Sequence, residues 1–221
     1  MKINKAIISD KVFHLLAKLP HAKYYQKKFR SEPRTKMGGG NLDISIIATN
    51  CVGGEIYHIL GSKFNTPFIN DSMNRKHFIT MACHFKEYMT APYRLEKAQN
   101  VNGIYLYLEP EGLPAIRVRF PHDTEENVVK NNWDRRVKRI NYDKLVFICD
   151  DRGLDETDYK QYDQVVAYKK IMLTSKDIGY SWAKVLPSYA GRSCVGDYNY
   201  KDYFRGLWKF EKEWDYWNFL L

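Results

Sequence analysis

The stretch ISIIATNCVGGEIYHILG, residues 44–61, decides the fold of this chain. It continues an apolar run from Leu42 to Ala48 that is rich in β-branched residues, which predicts a short strand. The segment EIYHIL follows two glycines and predicts a helix that ends at Gly61, because glycine commonly follows the last helical residue. The stretch therefore predicts a strand, a tight loop and a helix, with Cys51 in the loop.

Strands and helices continue to alternate through the rest of the chain. The predicted elements are a helix over 77–88, a hairpin of strands over 103–108 and 115–120, a helix capped by Asp123 or Thr124, and strands over 145–149 and 165–174. This alternation is typical of α/β proteins, so we expect a mostly parallel or mixed sheet with helices on both faces. In such sheets ligands bind beyond the carboxyl ends of strands, where Cys51 and Asp150 lie.

The positive charge is concentrated at the N-terminus. The chain has 35 Lys and Arg against 26 Asp and Glu, and residues 1–36 hold ten of the former and two of the latter, which leaves a net charge of +1 for residues 37–221. We predict a basic amphipathic helix within residues 1–36 and a single α/β domain over 37–221. The helix either lies on anionic lipid, reinforced by basic residues up to position 30, or packs on the domain with solvated lysines.

Three further features bear on location and partners. The four cysteines are widely spaced, which favours a reducing compartment, and no apolar run predicts a membrane span or a signal peptide. We therefore expect a cytoplasmic protein. The aromatic segment from Tyr198 to Leu221 predicts a docking helix. Because the body is nearly neutral, nucleic acid is not an expected partner.

Two segments resemble a known family. They are IIATNCVGGEIYHILGSKFNTPFI and FPHDTEENVVKNNWDRRVKRINYDKLVFICDDRG, and a VGD precedes the aromatic tail. They resemble an uncharacterised bacterial family whose members are labelled exopolysaccharide, or capsular polysaccharide, biosynthesis proteins. The residues that carry the resemblance are Asn50, Cys51, Gly53, Gly54, Pro67, His122, Trp133, Arg136, Arg139, Asp151 and Arg152. The resemblance implies an α/β fold and a role in making surface polysaccharide.

Cys51 is the candidate nucleophile. At a helix N-terminus the helix dipole and unpaired N–H groups stabilise a thiolate. His122 follows a predicted strand and is the candidate base, with Asp123 or Asp151 to orient its ring. The alternative is that Cys51 fills space under a tight turn and that His122 has no catalytic role.

The loop of Asn50, Gly53 and Gly54 is a candidate anion site, because a glycine-rich turn before a helix offers backbone donors to a phosphate. Arg136 and Arg139 could clamp the diphosphate of a nucleotide-linked or lipid-linked sugar. The alternatives are glycines that serve backbone geometry and a solvated basic helix face.

Asp150 and Asp151 follow a predicted buried strand. This is a common place for a divalent metal in glycosyl-transfer enzymes, but the pattern DDRG also suits a turn in which an aspartate accepts backbone hydrogen bonds. We assign no metal site, and the sequence names no cofactor.

Two functions remain open. The first is a transferase of polysaccharide synthesis, at the inner face of the membrane, that moves an acyl group through Cys51 or transfers a glycosyl group. The second is a noncatalytic protein of the same pathway that binds saccharide or partner proteins. If the first is right through a cysteine mechanism, Cys51, His122 and an acid should converge within hydrogen-bonding reach.

Overall fold

A computed structural model describes residues 42–195 and 219–220 and contains two sheets. The strands are β1 Ser45–Ala48, β2 Ser72–Met73, β3 Tyr93–Lys97, β4 Ile104–Leu108, β5 Ile116–Phe120, β6 Leu145–Asp150, β7 Lys169–Thr174 and β8 Ala183–Val185. The helices are α1 Val52–Leu60, α2 Arg75–Cys83, α3 Phe85–Thr90, α4 Glu126–Val137 and α5 Glu156–Asp163, and short 3₁₀ turns cover Tyr142–Lys144 and Pro187–Tyr189. The predicted basic helix of residues 1–36 and the predicted docking helix of 198–221 lie outside the described residues, apart from positions 219 and 220.

The first sheet is parallel, with strand order β1-β6-β7-β8. Every side chain of β1 and β6 is buried, as expected for parallel strands covered on both faces. Helix α1 covers one face, where Ile56 packs with Ile46 and Ile148. Helices α2 and α5 cover the other face, where Phe78 packs edge-to-face against Phe147. The α/β prediction, with helices on both faces, is confirmed.

The second sheet is antiparallel, with strand order β2-β5-β4-β3. Its inner face belongs to the same core as the second face of the parallel sheet, and Trp133 of α4 packs there against Phe68 and Phe120. Along β4 buried and half-buried residues alternate, so the outer face of this sheet meets solvent. The hairpin of β4 and β5 was predicted, whereas its place in a sheet separate from the parallel one was not.

The predicted strand, loop and helix of residues 44–61 are confirmed. Helix α1 ends at Gly61, which has a left-handed φ of 64° that glycine adopts without a Cβ penalty. The hydroxyl of Tyr57 donates to the Ile44 carbonyl and accepts from the Ile46 N–H, which fastens α1 to β1. These two bonds satisfy main-chain groups at the edge of the parallel sheet.

Two local predictions are wrong. The helix predicted over 77–88 is two helices, α2 and α3, which are separated at His84 because that residue leaves the helical conformation with φ −129° and ψ 41°. The helix predicted to be capped by Asp123 or Thr124 has Glu125 at its N-cap, with no side-chain capping bond. Asp123 instead donates its N–H to the Phe120 carbonyl, so the chain turns before the helix begins.

Candidate functional site

The loop from β1 to α1 lies at the carboxyl edge of the parallel sheet. Asn50 Oδ1 accepts a hydrogen bond from the Val52 N–H at 3.0 Å, which forms an Asx turn just before α1. Cys51 is the N-cap residue and is half-buried, and its Sγ lies 3.9 Å from the main-chain oxygen of Asp71. The prediction that Cys51 stands at a helix N-terminus is confirmed.

Gly53 and Gly54 are buried between α1 and its neighbours. A Cβ added at Gly53 would lie 3.3 Å from Ile46 Cγ2, and one added at Gly54 would lie 3.4 Å from Asn70 Oδ1. The close approach favours glycine at position 53, whereas a Cβ at position 54 would lie at the edge of ordinary van der Waals contact. Their predicted role as phosphate donors stays a prediction.

Asp150, at the end of β6, is held in a buried ion pair. The guanidinium of Arg75 donates from Nε to Asp150 Oδ1 at 2.9 Å and from a second nitrogen to Oδ2. Thr49 Oγ1 and the Arg152 N–H also donate to this carboxylate. Burial raises the pKa of Asp150, and the Arg75 guanidinium opposes that rise. No local pattern predicts this pairing, because Arg75 lies 75 positions before Asp150.

Asp151 is committed to main-chain contacts. Its Oδ2 accepts from the Ser175 N–H at 2.8 Å and from Ser175 Oγ at 3.1 Å, and its Oδ1 accepts from the Val195 N–H at 2.6 Å. Asp151 is 5% exposed. These contacts tie the ends of β6 and β7 to the segment at Val195. They agree with the alternative given above, in which an aspartate of DDRG lies in a turn and accepts backbone hydrogen bonds. In the described structure Asp151 has no hydrogen bond to His122.

The other predicted site residues lie elsewhere. His122 is exposed beyond the end of β5, and among the described residues it has no hydrogen bond to Cys51. Arg136 lies 5.1 Å from the ring of Phe64 and Arg139 is exposed, both near the amino edge of the parallel sheet. That edge is marked by Asn141, just after α4, whose N–H donates to Ser45 Oγ at the start of β1.

The candidate residues therefore fall into separate groups. The amino and carboxyl edges are about 13 Å apart, since β1 has four residues that each rise about 3.3 Å. An anion bound at Cys51 would not reach Arg136 without spanning the sheet.

Burial lowers the pKa of the Arg136 guanidinium, and its buried Nε has no hydrogen-bond acceptor among the described residues.

Asp71 is the residue that sequence reasoning missed. It is 1% exposed, and neither carboxyl oxygen has a hydrogen-bond partner among the residues that the structure describes. Burial raises its pKa well above the usual value, which favours the protonated form of the carboxyl group. The Met73 N–H donates to the Thr49 carbonyl, so the chain around Asp71 crosses the end of β1. Only tertiary burial distinguishes Asp71 from the other aspartates.

A small pocket opens at this edge. It is lined by Thr49, Asn50, Val52, Ile148, Cys149, Asp150 and Leu173. Its empty space, including the part open to solvent, is about 200 Å³, which is less than the roughly 300–1,000 Å³ typical of a drug-sized ligand. The enclosed part of this space is about the size of one water molecule, and neither Cys51 nor Asp71 lines it. Within the described residues, no set of three or more His, Cys, Asp or Glu side chains could hold a metal ion.

A family model described as Domain of unknown function (DUF1919) matches residues 21–221. The chain belongs to this family. The match includes the whole carboxyl edge described above, from Asn50 to Asp151. In the part of the chain that the structure describes, no helix is long and apolar enough to cross a membrane.

One relative is an uncharacterised protein of Haemophilus influenzae. It is 27% identical over 162 residues, which cover 71% of this chain and 74% of the relative. The printed name of this relative carries no activity.

Proposed function

We propose that this protein is a transferase of bacterial exopolysaccharide or capsule synthesis that acts on a sugar-containing substrate at the carboxyl edge of the parallel sheet. The observation that carries the proposal is the half-buried thiol of Cys51 at the N-terminus of α1, 3.9 Å from the main-chain oxygen of Asp71, a residue whose carboxyl group is buried without a hydrogen-bond partner among the described residues. The resemblance in the sequence supports the pathway. The substrate would be nucleotide-linked or lipid-linked, in the cytoplasm at the inner face of the membrane, with residues 1–30 in contact with anionic lipid.

The buried carboxyl group of Asp71 lowers the stability of the fold, and a residue with a purely structural role would not do so. A buried polar group without a hydrogen bond destabilises a fold by about 1–3 kcal/mol. Groups with strongly perturbed pKa values cluster at functional sites, because burial adjusts an acid to its task. A carboxyl group whose pKa is raised by burial is suited to act as a general acid toward a leaving group.

Cys51 supports acyl transfer as the first chemistry to test. Its thiolate would attack the carbonyl carbon of an acyl thioester, the acyl group would move to Sγ, and the thiol of the donor would leave with a proton. A sugar hydroxyl would then take the acyl group and release Cys51. The N-terminus of α1 would favour the thiolate. Glycosyl transfer would use Asp71 as the acid and leave Cys51 unmodified.

The decisive experiment measures the intact mass of the protein after incubation with acetyl-CoA as a model acyl thioester. We expect an acetyl adduct that Cys51→Ser abolishes. Cys83→Ser is the matched control, because Cys83 is also half-buried and its Sγ contacts a main-chain oxygen, that of Gln161, at 3.6 Å. The control variant should still be modified.

A parallel thermal shift with nucleotide-sugars separates the two chemistries. Stabilisation by a nucleotide-sugar without any adduct would favour glycosyl transfer, since a ligand that binds only the folded state raises its stability. If neither class forms an adduct or stabilises the protein, the transferase proposal fails.

The second candidate is a noncatalytic protein of the same pathway that binds saccharide or a partner protein. It is supported by the separation of Cys51, His122 and Asp151, because a cysteine enzyme of the predicted kind would bring them together. This function predicts saccharide binding that survives both Cys51→Ser and Asp71→Asn.

A further inference from the structure

The outer face of the antiparallel sheet carries a second group of polar and aromatic side chains. On β4, Tyr105 and Tyr107 alternate with buried residues, and on β5, Arg117 and Arg119 do the same. The pairing of these strands sets Tyr105 opposite Arg119 and Tyr107 opposite Arg117. We call these four residues the tyrosine–arginine face. It lies on the sheet that does not carry Cys51.

Stacking holds the side chains of this face in place. The two tyrosine rings have centroids 6.3 Å apart, and Arg117 Cζ lies 4.5 Å from the centroid of Tyr105. On the neighbouring strand β3, Arg94 Cζ lies 3.7 Å from the centroid of Tyr107. A guanidinium stacked on a ring loses little further freedom when its N–H groups bind a carboxylate.

The charges on this side of the sheet are not balanced. Arg94 is paired with Glu96 and Glu109, each at 3.0 Å. In contrast, neither Arg117 nor Arg119 has a carboxylate partner among the described residues. Arg119 is half-buried: it donates to the Asn102 carbonyl at 2.8 Å, and its buried Nε has no acceptor in the described part of the chain. The face therefore presents two uncompensated guanidinium groups, about 6.6 Å apart along β5.

We propose that the tyrosine–arginine face binds an acidic saccharide, with the two arginines on its carboxylates and the tyrosine rings against its sugar rings. Arginine suits planar carboxylates, and aromatic rings present a flat apolar surface with a polar edge. The class of ligand is inferred from the charges and rings of this face, so this proposal does not depend on the chemistry proposed for Cys51.

Two other partner classes fit the face less well. A nucleic acid needs a broad basic surface, but residues 37–221 carry a net charge of +1 and Glu96 lies on the same side of the sheet. A protein interface is usually centred on buried apolar anchors. The exposed large apolar residues of the described chain are Val101, Val128, Tyr142, Val166 and Tyr168, and none lies on this face.

The experiment uses the full chain in affinity electrophoresis through gels that contain polygalacturonate, a polymer of acidic sugars. Neutral dextran and single-stranded poly-dT are the comparison polymers. We expect polygalacturonate alone to retard the protein. The double substitution R117Q/R119Q should weaken the apparent affinity by about tenfold or more, because two charge-assisted contacts are lost. The single substitution Tyr105→Leu should weaken it to a smaller extent.

The matched control is the double substitution R135Q/K138Q, which removes the same two positive charges from exposed positions at the end of α4. It should leave retardation unchanged, as should Cys51→Ser, so a failure of the transferase proposal would not alter this result. The proposal is overturned if polygalacturonate does not retard the protein, if dextran or poly-dT retards it as strongly, or if R135Q/K138Q weakens binding as much as R117Q/R119Q does. Unchanged circular dichroism spectra will establish that each variant is folded.

Discussion

The substitution Asp151→Asn tests whether Asp151 is structural or catalytic. The carboxylate accepts one N–H on Oδ1 and one N–H plus a hydroxyl on Oδ2, all in a buried setting. An asparagine keeps only one of the two oxygens. Its NH₂ group must then face the N–H of either Ser175 or Val195, and neither main-chain donor can become an acceptor.

The expected cost is a sum of known contributions. One hydrogen bond to a charged acceptor, worth about 1.5–3 kcal/mol, is lost, and a buried N–H is left without a partner. The remaining bonds weaken because their acceptor is neutral. We expect Asp151→Asn to lower the free energy of unfolding by about 3–5 kcal/mol, measured by urea denaturation followed by tryptophan fluorescence. Hydrogen exchange of the Val195 amide should also become faster, because its acceptor is lost.

Asp177→Asn is the matched control. Asp177 is exposed and accepts a single N–H, from Gly179 at 2.9 Å, which the asparagine oxygen can still accept. Its cost should stay within about 0.5 kcal/mol. If Asp151→Asn unfolds at the wild-type urea concentration with an unchanged slope, the structural role assigned to Asp151 is wrong.

Three further predictions concern ionisation and backbone geometry. The folded state holds the Asp71 proton more tightly than the unfolded chain does, so the free energy of unfolding of the wild type, relative to that of Asp71→Asn, should fall as the pH rises above 3.8. A difference between the two free energies that does not change with pH contradicts this. Burial, assisted by the charge of Arg117, lowers the pKa of His77 below 6.5, and NMR titration should find this depressed pKa in the wild type and a higher one in Arg117→Gln. The stability that neutral His77 contributes should be lost as the pH falls through the pKa of the folded state. Gly103→Ala should lower the free energy of unfolding by at least about 3 kcal/mol, because φ is +126° and the new Cβ would lie 2.6 Å from the Phe120 oxygen. Gly112→Ala, at φ +75° in open space, should lower it by about 1 kcal/mol, and equal losses would show that the clash at Gly103 is wrong.

Much of the secondary structure could be predicted because its signals are local. The apolar run of residues 44–48 with the glycine at position 61 marks β1 and α1, and the alternation along β4 and β5 marks a hairpin. The break between α2 and α3 at His84 could not be predicted in this way, because the spacing of apolar residues on either side still fits one helix. The sequence also does not predict which of the two sheets a strand joins, because each strand pattern is compatible with either sheet.

The candidate site was predicted only in part, and for the same reason. The position of Cys51 at a helix N-terminus follows from the order of a strand, a loop and a helix. The role of an aspartate depends on what lies around it in space, and adjacent residues such as Asp150 and Asp151 look equivalent in sequence. One binds Arg75 and the other binds Ser175 and Val195.

The sequence by itself determined the α/β class, the first strand, loop and helix, and the place of Cys51, because these depend on periodicity and on glycine within a few residues. Only the tertiary structure decided which side chains share an edge of a sheet. It separated Arg136 from Cys51 and buried the Asp71 carboxyl group without a hydrogen-bond partner in the described part of the chain. It also placed Arg117 and Arg119 on the outer face of the antiparallel sheet, where no described residue offers them a carboxylate. The physical reason is that burial and charge pairing arise from contacts between segments far apart in the chain.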